Sequence, residues 1–170
     1  VLRFTFPAGS ATCNIMFDPV NERSRSIIEF NADKTEFYTT SEKKANGQTT
    51  MHNVGQFSQA PVAWHSAGEG SMGMFQFAPN ENKETVIEMK VATSFISKAQ
   101  AQHALSMEIA GDEGFDKVQA KALKIWNDTL RSIEVEGGSY HERVTFYSNL
   151  YRAFVYPTSL AENTGTNDQP

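Results

Sequence analysis

Val86-Ile-Glu-Met-Lys-Val-Ala-Thr-Ser-Phe95, followed directly by Ile96-Ser97-Lys-Ala-Gln100-Ala101, is the stretch in which the chain changes period. Ile87, Met89 and Val91 alternate with Glu88 and Lys90, which places the apolar side chains on one face of a strand. From Ser97 onward the spacing is helical. Ser97 and Gln100 form a capping box, in which the serine hydroxyl and the glutamine side chain satisfy free amides at a helix start. Ala101, Ala104, Leu105 and Ile109 then share one stripe, and Gly111 stops the helix.

Upstream of this point the chain reads as strands. Val1–Phe6 is short and aromatic-rich; Cys13, Ile15 and Phe17 alternate with Asn14 and Met16; Ser26–Phe30, Glu36–Thr40 and Met74–Phe77 are further β-prone runs. Pro7-Ala8-Gly9, Asp18-Pro19, Asn46-Gly47 and Pro79-Asn80 supply the turns. Short strands with no helices between them point to an antiparallel sandwich. Downstream, Asp116-Lys-Val-Gln119 opens a second helix, expected over 117–134, with Val118, Ala122, Ile125, Trp126 and Ile133 on one stripe. Gly137-Gly138 ends that unit, and Trp126 is expected to be largely buried. A third helix is predicted from about Arg143 to Val155, with Val144, Tyr147, Leu150, Tyr151 and Phe154 on its apolar side and Pro157 closing it. Residues 158–170 are polar and aperiodic.

Composition narrows the function classes. The chain has 170 residues and 18.9 kDa, with 39% apolar and 21% charged residues, so it is neither disordered nor fibrous. A chain of this length buries roughly two-thirds of its unfolded surface, enough for a core without staples. No apolar run approaches the ~20 residues of a membrane-spanning helix. The net charge of −5 is spread evenly, with eight basic and ten acidic groups in residues 1–94 and seven and ten in 95–170. Without a basic patch, nucleic acid is not the expected partner. The single cysteine, Cys13, excludes an internal disulfide and leaves the redox compartment open. The start at Val1 and the unpatterned end suggest a piece of a longer chain.

Several motifs dissolve on inspection. Gly68-Glu-Gly70-Ser-Met-Gly73 fits the dinucleotide-binding pattern, but that pattern needs a helix after it, and Met74-Phe-Gln-Phe77 is a strand pattern. A glycine-rich β-turn is the better reading. The four histidines have no metal-ligand spacing, and Cys13 has no second cysteine, so a zinc site is not expected. Cys13 reads as a small core residue, and His65 as an ordinary hydrogen-bonded histidine. Asn127-Asp-Thr129 is a glycosylation sequon, but it falls inside the second helix, where acceptors are rare. The pairs Asp112/Glu113 and Glu134/Glu136 lie at helix ends and read as solvated. Trp64, Phe57, Phe75 and Phe77 could make a sugar-stacking platform, although aromatic residues in strands more often form core.

Three stretches in order resemble one family. They are Val91-Ala-Thr-Ser-Phe-Ile-Ser97 with Gln100-Ala101, then Phe115-Asp-Lys-Val118 with Trp126-Asn127-x-x-Leu130-x-x-Ile133-x-Val135-x-Gly137-Gly138, then Phe146-Tyr147-x-x-Leu150-Tyr151-Arg152-Ala-Phe154-x-x-Pro157. Together they resemble glycoside hydrolase family 92, the calcium-dependent exo-α-mannosidases. Phe4-Thr-Phe-Pro7 and the glycine-rich turn are compatible with it. The resemblance implies an α+β chain: an antiparallel β-sandwich, partial here, followed by linker helices and the first helix of an (α/α)6 barrel. Residues 1–94 would be the later sandwich strands, 95–138 the linker helix pair, and 139–170 the truncated start of the catalytic barrel domain.

The resemblance further implies a secreted or periplasmic α-mannosidase that removes terminal mannose from N-glycans or mannan with inversion, α-1,2 linkages being the family's commonest. One carboxylic acid would protonate the leaving oxygen while a carboxylate directs water. No residue here matches a catalytic motif of the family. The acid, the base and most calcium ligands would lie outside this chain, which is expected to be inactive alone and to bind no calcium. Tyr151 and Arg152 are the candidates for lying near substrate, against the plainer reading of a packed tyrosine and an exposed ion-pairing arginine. The expected partners are a mannose-containing glycan and, through the 143–155 helix, either the remainder of the enzyme or a second copy. A different class remains open at this point: a non-catalytic carbohydrate-binding or adaptor sandwich.

Overall fold

The computed structural model describes residues 1–18, 24–43, 50–67, 72–109, 111, 113–156, 158–159 and 161–164. Pro19, Asn46-Gly47, Gly68–Ser71, Asp112 and Pro157, which enter the sequence reading, lie outside the described residues. Among the described residues eight strands precede three helices. The strands are β1 (Leu2–Phe6), β2 (Cys13–Phe17), β3 (Ser24–Phe30), β4 (Glu36–Lys43), β5 (Thr50–Phe57), β6 (Ala63–Ala67), β7 (Met72–Phe77) and β8 (Thr85–Ser94); the helices are α1 (Lys98–Glu108), α2 (Phe115–Leu130) and α3 (Tyr140–Val155). The class is the expected α+β. The chain forms two units, Val1–Phe115 and Asp116–Pro170.

In the first unit every strand pair is antiparallel. Five strands run β1-β8-β5-β4-β3 and three run β2-β7-β6. The alternation seen in the sequence decides which side chains meet between the sheets. Cys13, Ile15, Phe75 and Phe77 from the smaller sheet pack with Phe37, Phe57, Ile87 and Met89 from the larger one, all of them buried. Phe4, Phe6, Phe17, Phe30 and Val91 close the margin. Cys13 is a core residue, as its alternation predicts. Asn53 and Thr39 are buried in register neighbourhood and answer each other by an Nδ2–H to Oγ1 hydrogen bond of 3.2 Å, so neither is left unpaired.

Strands β5 and β6 escape the sequence reading. In β5, His52, Asn53 and Gly55 break the apolar alternation that a half-buried strand would show. The physical reason is that β5 is central and covered on both faces. Phe57 enters the core between the sheets, whereas Val54, with Tyr38 and Ala92, meets Ala101, Leu105 and Ile109 of α1 on the other side. Gly55 lies opposite Phe37, whose ring occupies the space a Cβ would need.

The strand-to-helix junction forms where the sequence predicts it, but with Ser97 as a simple N-cap and not the full capping box, because the Ser94 hydroxyl takes the Ser97 amide. The Ser94 hydroxyl accepts from the amides of Ile96 (2.9 Å) and Ser97 (3.3 Å), bending the chain out of β8. Ser97 is then the N-cap of α1, its hydroxyl accepting from the Gln100 amide at 3.1 Å. The last link of this unit is a carboxylate clasp. Glu88 on β8 accepts from Arg3 of β1 at 3.0 and 2.7 Å through Oε1, and from the Phe115 amide at 3.0 Å through Oε2. The Arg3 guanidinium also lies 4.7 Å from the Phe115 ring centroid.

The second unit carries α2 and α3. The second helix ends at Leu130 and not at 134, because Ser132 and Ile133 donate to Thr129 and Leu130 in tighter i to i+3 turns. Gly137 and Gly138 adopt φ of +80° and +67°, the left-handed region that glycine enters without a Cβ penalty. The third helix begins at Tyr140, earlier than the predicted Arg143. Its start is a full capping box: the Ser139 hydroxyl accepts from the Glu142 amide, and the Glu142 carboxylate accepts from the Ser139 amide at 2.7 Å. No residue of α2 or α3 is buried. Trp126 is half-buried, not largely buried, with its ring centroid 4.4 Å from that of Tyr151.

Candidate functional site

The aromatic platform considered for sugar stacking is core. Phe57, Phe75 and Phe77 interlock at ring distances of 4.8 and 5.1 Å between the sheets. Only Trp64 reaches the surface, and its ring leans on Phe30 at 4.8 Å. The described end of the glycine-rich motif, Met72-Gly73, already belongs to β7, so no helix follows to hold a phosphate.

Tyr151 and Arg152 lie near the end of α3, where the arginine charge complements the helix C-terminus. They border an open groove of about 680 Å³ together with Leu130, Tyr140, Arg143 and Tyr147. Tyr151 is engaged on one side by Trp126, and Arg143 donates to the carbonyls of Gly137 (3.2 Å) and Gly138 (2.8 Å). Among the described residues, no carboxylate lines this groove. Its phenols and guanidinium groups can stack on a ring and hydrogen-bond hydroxyls; they cannot supply the acid and base of a glycosidase. Along the same helix Val144, Phe154 and Val155 are exposed, so the apolar stripe of α3 is uncovered among the described residues.

Several described carboxylates hold structure. Glu88 is the clasp, and together with Gln56, Ser58, Lys90, Gly111 and Glu113 it borders a second cleft of about 340 Å³. There Lys90 donates to the Gly111 carbonyl at 3.0 Å and Ser58 accepts from the Glu88 amide, so the cleft is laced by its own hydrogen bonds. Hydrogen bonds from the Ser139 amide and hydroxyl hold Glu142 below its usual carboxylate range, and those from Thr35 do the same for Asp33. Glu134 and Glu136 are exposed. Among the histidines, His52 accepts from or donates to the Tyr38 hydroxyl at 2.7 Å; burial, reinforced by Glu29, pushes that phenol above its usual value. No three His, Cys, Asp or Glu side chains converge among the described residues. None of the described helices is long and apolar enough to cross a membrane.

Comparison with known proteins supplies what local geometry does not. Residues 100–170 match the family model described as the glycosyl hydrolase family 92 catalytic domain. No curated protein matches the chain. Among solved structures, a family GH92 inverting mannosidase from Bacteroides thetaiotaomicron VPI-5482 superposes with a TM-score of 0.76 at 20% identity, covering 91% of this chain and 22% of that one. A family GH92 alpha-mannosidase from Bacteroides thetaiotaomicron gives 0.76 at 19% identity over 96% of this chain and 24% of that one. The structure of that enzyme with mannoimidazole gives 0.74 at 20% identity. The chain thus spans less than a quarter of the length of these structures. It has their fold, a β-sandwich followed by helices, and its residues 100–170 are similar to the glycosyl hydrolase family 92 catalytic domain.

Proposed function

We propose that the protein containing this chain is an inverting exo-α-mannosidase. The observation that carries the reading is the match of residues 100–170 to a family 92 catalytic domain, seated after a sandwich with the fold of an inverting mannosidase. That match also favours a hydrolase over a stand-alone carbohydrate-binding or adaptor module. In the whole enzyme, residues 1–94 are the later sandwich strands, 95–138 the linker helix pair and 139–170 the start of the (α/α)6 barrel. The acid and the base, which must stand about 6.5–9.5 Å apart to admit a water, come from segments outside this chain. So do the calcium ligands. Tyr151 and Arg152 contribute at the edge of the substrate site. The α3 stripe is covered by the rest of the enzyme, or by a second copy when the chain is alone. The substrates are terminal α-mannosides of N-glycans or mannan, α-1,2-linked ones first, and the site of action is outside the cytoplasm.

The test is to incubate the full-length protein and residues 1–170 with α-1,2-, α-1,3- and α-1,6-linked mannobiose, with calcium and with chelator. Proton NMR of the first product reads the anomer. Full-length protein should release mannose as the β-anomer, fastest from the α-1,2 linkage and only with calcium; the short chain should release none. Failure on every α-mannoside overturns the assignment. An α-anomer as first product overturns inversion, and release by the short chain overturns its inactivity.

A further inference from the structure

The outer face of the three-stranded sheet carries a feature unrelated to packing. Because Cys13, Ile15, Phe75 and Phe77 turn inward, Asn14, Met16, Met74 and Gln76 turn outward. Register places Met16 of β2 opposite Met74 of β7, and Met74 opposite His65 of β6. The three side chains therefore stand in one row across three adjacent strands. Met16 is 68% exposed and Met74 38%, and His65 is exposed as well. Exposed methionine gains little from burial, and two of them share this row with an imidazole to which no described residue is hydrogen-bonded.

We propose that Met16, Met74 and His65 form a surface site for a soft monovalent transition-metal ion of the Cu(I) class. Strands lie about 4.8 Å apart, so the row is about 10 Å wide, with Met74 at its centre. A metal above Met74 is within reach of the flanking side chains, because methionine is unbranched with three rotatable bonds. Two neutral thioethers are soft donors that select Cu(I) over calcium, magnesium or manganese, and an imidazole also suits copper. The adjacent row, Asn14, Gln76 and Ala63, carries no charge that would favour a hard cation. Met72 lies two residues along the same face and can add a fourth sulfur.

Silver(I) is the probe, being soft, monovalent and stable in air. The full chain is titrated with silver nitrate in chloride-free buffer, with heat and the methionine methyl NMR signals as readouts. One equivalent should bind, shifting the Met16 and Met74 methyls and the His65 ring. Loss of a ligand should weaken binding at least as much as loss of an outer-shell partner does, about 10-fold or more, so M16L, M74L and H65A should each do so. Leucine keeps the volume and the positions are exposed, so the fold survives. Cys13→Ala should leave binding unchanged, since that thiol is buried. Absence of saturable binding overturns the proposal. So does binding that survives M74L, binding abolished by Cys13→Ala, or equal shifts produced by calcium.

Discussion

Replacing Gly55 by alanine is the sharpest test of how the core is built. Gly55 faces Phe37 across the β5–β4 register, and a methyl there would fall within the Phe37 ring. The ring has nowhere to go: it is fully buried, with Phe17, Phe75 and Phe57 at centroid distances of 4.9, 5.2 and 5.3 Å. Forcing a methyl into a filled core costs about 1–3 kcal/mol. Alanine's smaller unfolded-state entropy offsets about 0.4–1 kcal/mol of that. The net expectation is a loss of about 1–2 kcal/mol. Phe37→Ala alone should cost about 3–5 kcal/mol. The double variant should be less destabilised than the sum of the singles by about 1–3 kcal/mol, because the new methyl then occupies vacated space. The assay is urea unfolding in a Trp126→Phe background, where the remaining tryptophan, Trp64 of β6, reports on the sandwich. A shifted midpoint with an unchanged slope gives the free-energy change. A neutral or stabilising Gly55→Ala, or strict additivity in the double variant, would refute the close-approach argument.

Three further substitutions probe the clasp, the helix start and the candidate site. Glu88→Ala should destabilise the sandwich by about 1.5–3 kcal/mol, the range for hydrogen bonds to a charged group, and should raise hydrogen exchange at the Phe115 amide, which it accepts from. Ser139→Ala should cost about 1 kcal/mol of helix stability and shift the start of α3, as read by amide NMR. Glu142 has a folded-state value lowered from 4.5, so its contribution is present above that value and fades as pH falls through the lower, folded one; Ser139→Ala keeps the backbone amide, the larger cause, so an NMR titration should show only a partial rise, and no rise at all would refute the hydroxyl's share. Tyr151→Ala and Arg152→Ala, made separately in the full-length enzyme, should each lower kcat/KM on a mannobiose by about 10-fold, roughly 1.4 kcal/mol. Unchanged efficiency in both returns these residues to a packing and ion-pairing role.

What the sequence discloses depends on how local the cause is. The Ser97 cap and the stripe of α1 are legible because both are settled within a few residues of one another. The Ser139-x-x-Glu142 box is equally local, and its motif was available to place the start of α3 at Tyr140. Strand β5 is illegible for a tertiary reason. Its glycine answers Phe37 on another strand, and its Val54 answers α1, so neither makes a pattern within the strand. Trp126 was expected to be buried on amphipathicity alone, but a stripe says which face wants cover and not how much cover it finds; here the ring gains Tyr151 and stays half-buried.

The catalytic chemistry is a still more distant property. Two carboxyl groups at a set separation must face one substrate across a pocket, whereas Glu88, Glu142 and Asp33 here are taken up by structural hydrogen bonds. Glu88 ties β1 to the start of α2, Glu142 closes a cap, and Asp33 accepts from the Thr35 amide and hydroxyl within its own turn. Such pairing holds a carboxylate ionised, as the lowered values of Glu142 and Asp33 show. An acid catalyst needs the opposite, a proton retained near neutral pH, which burial away from donors provides. On α3 itself Val144 and Phe154 stay exposed, an apolar stripe that is uncovered among the described residues and that further packing would complete.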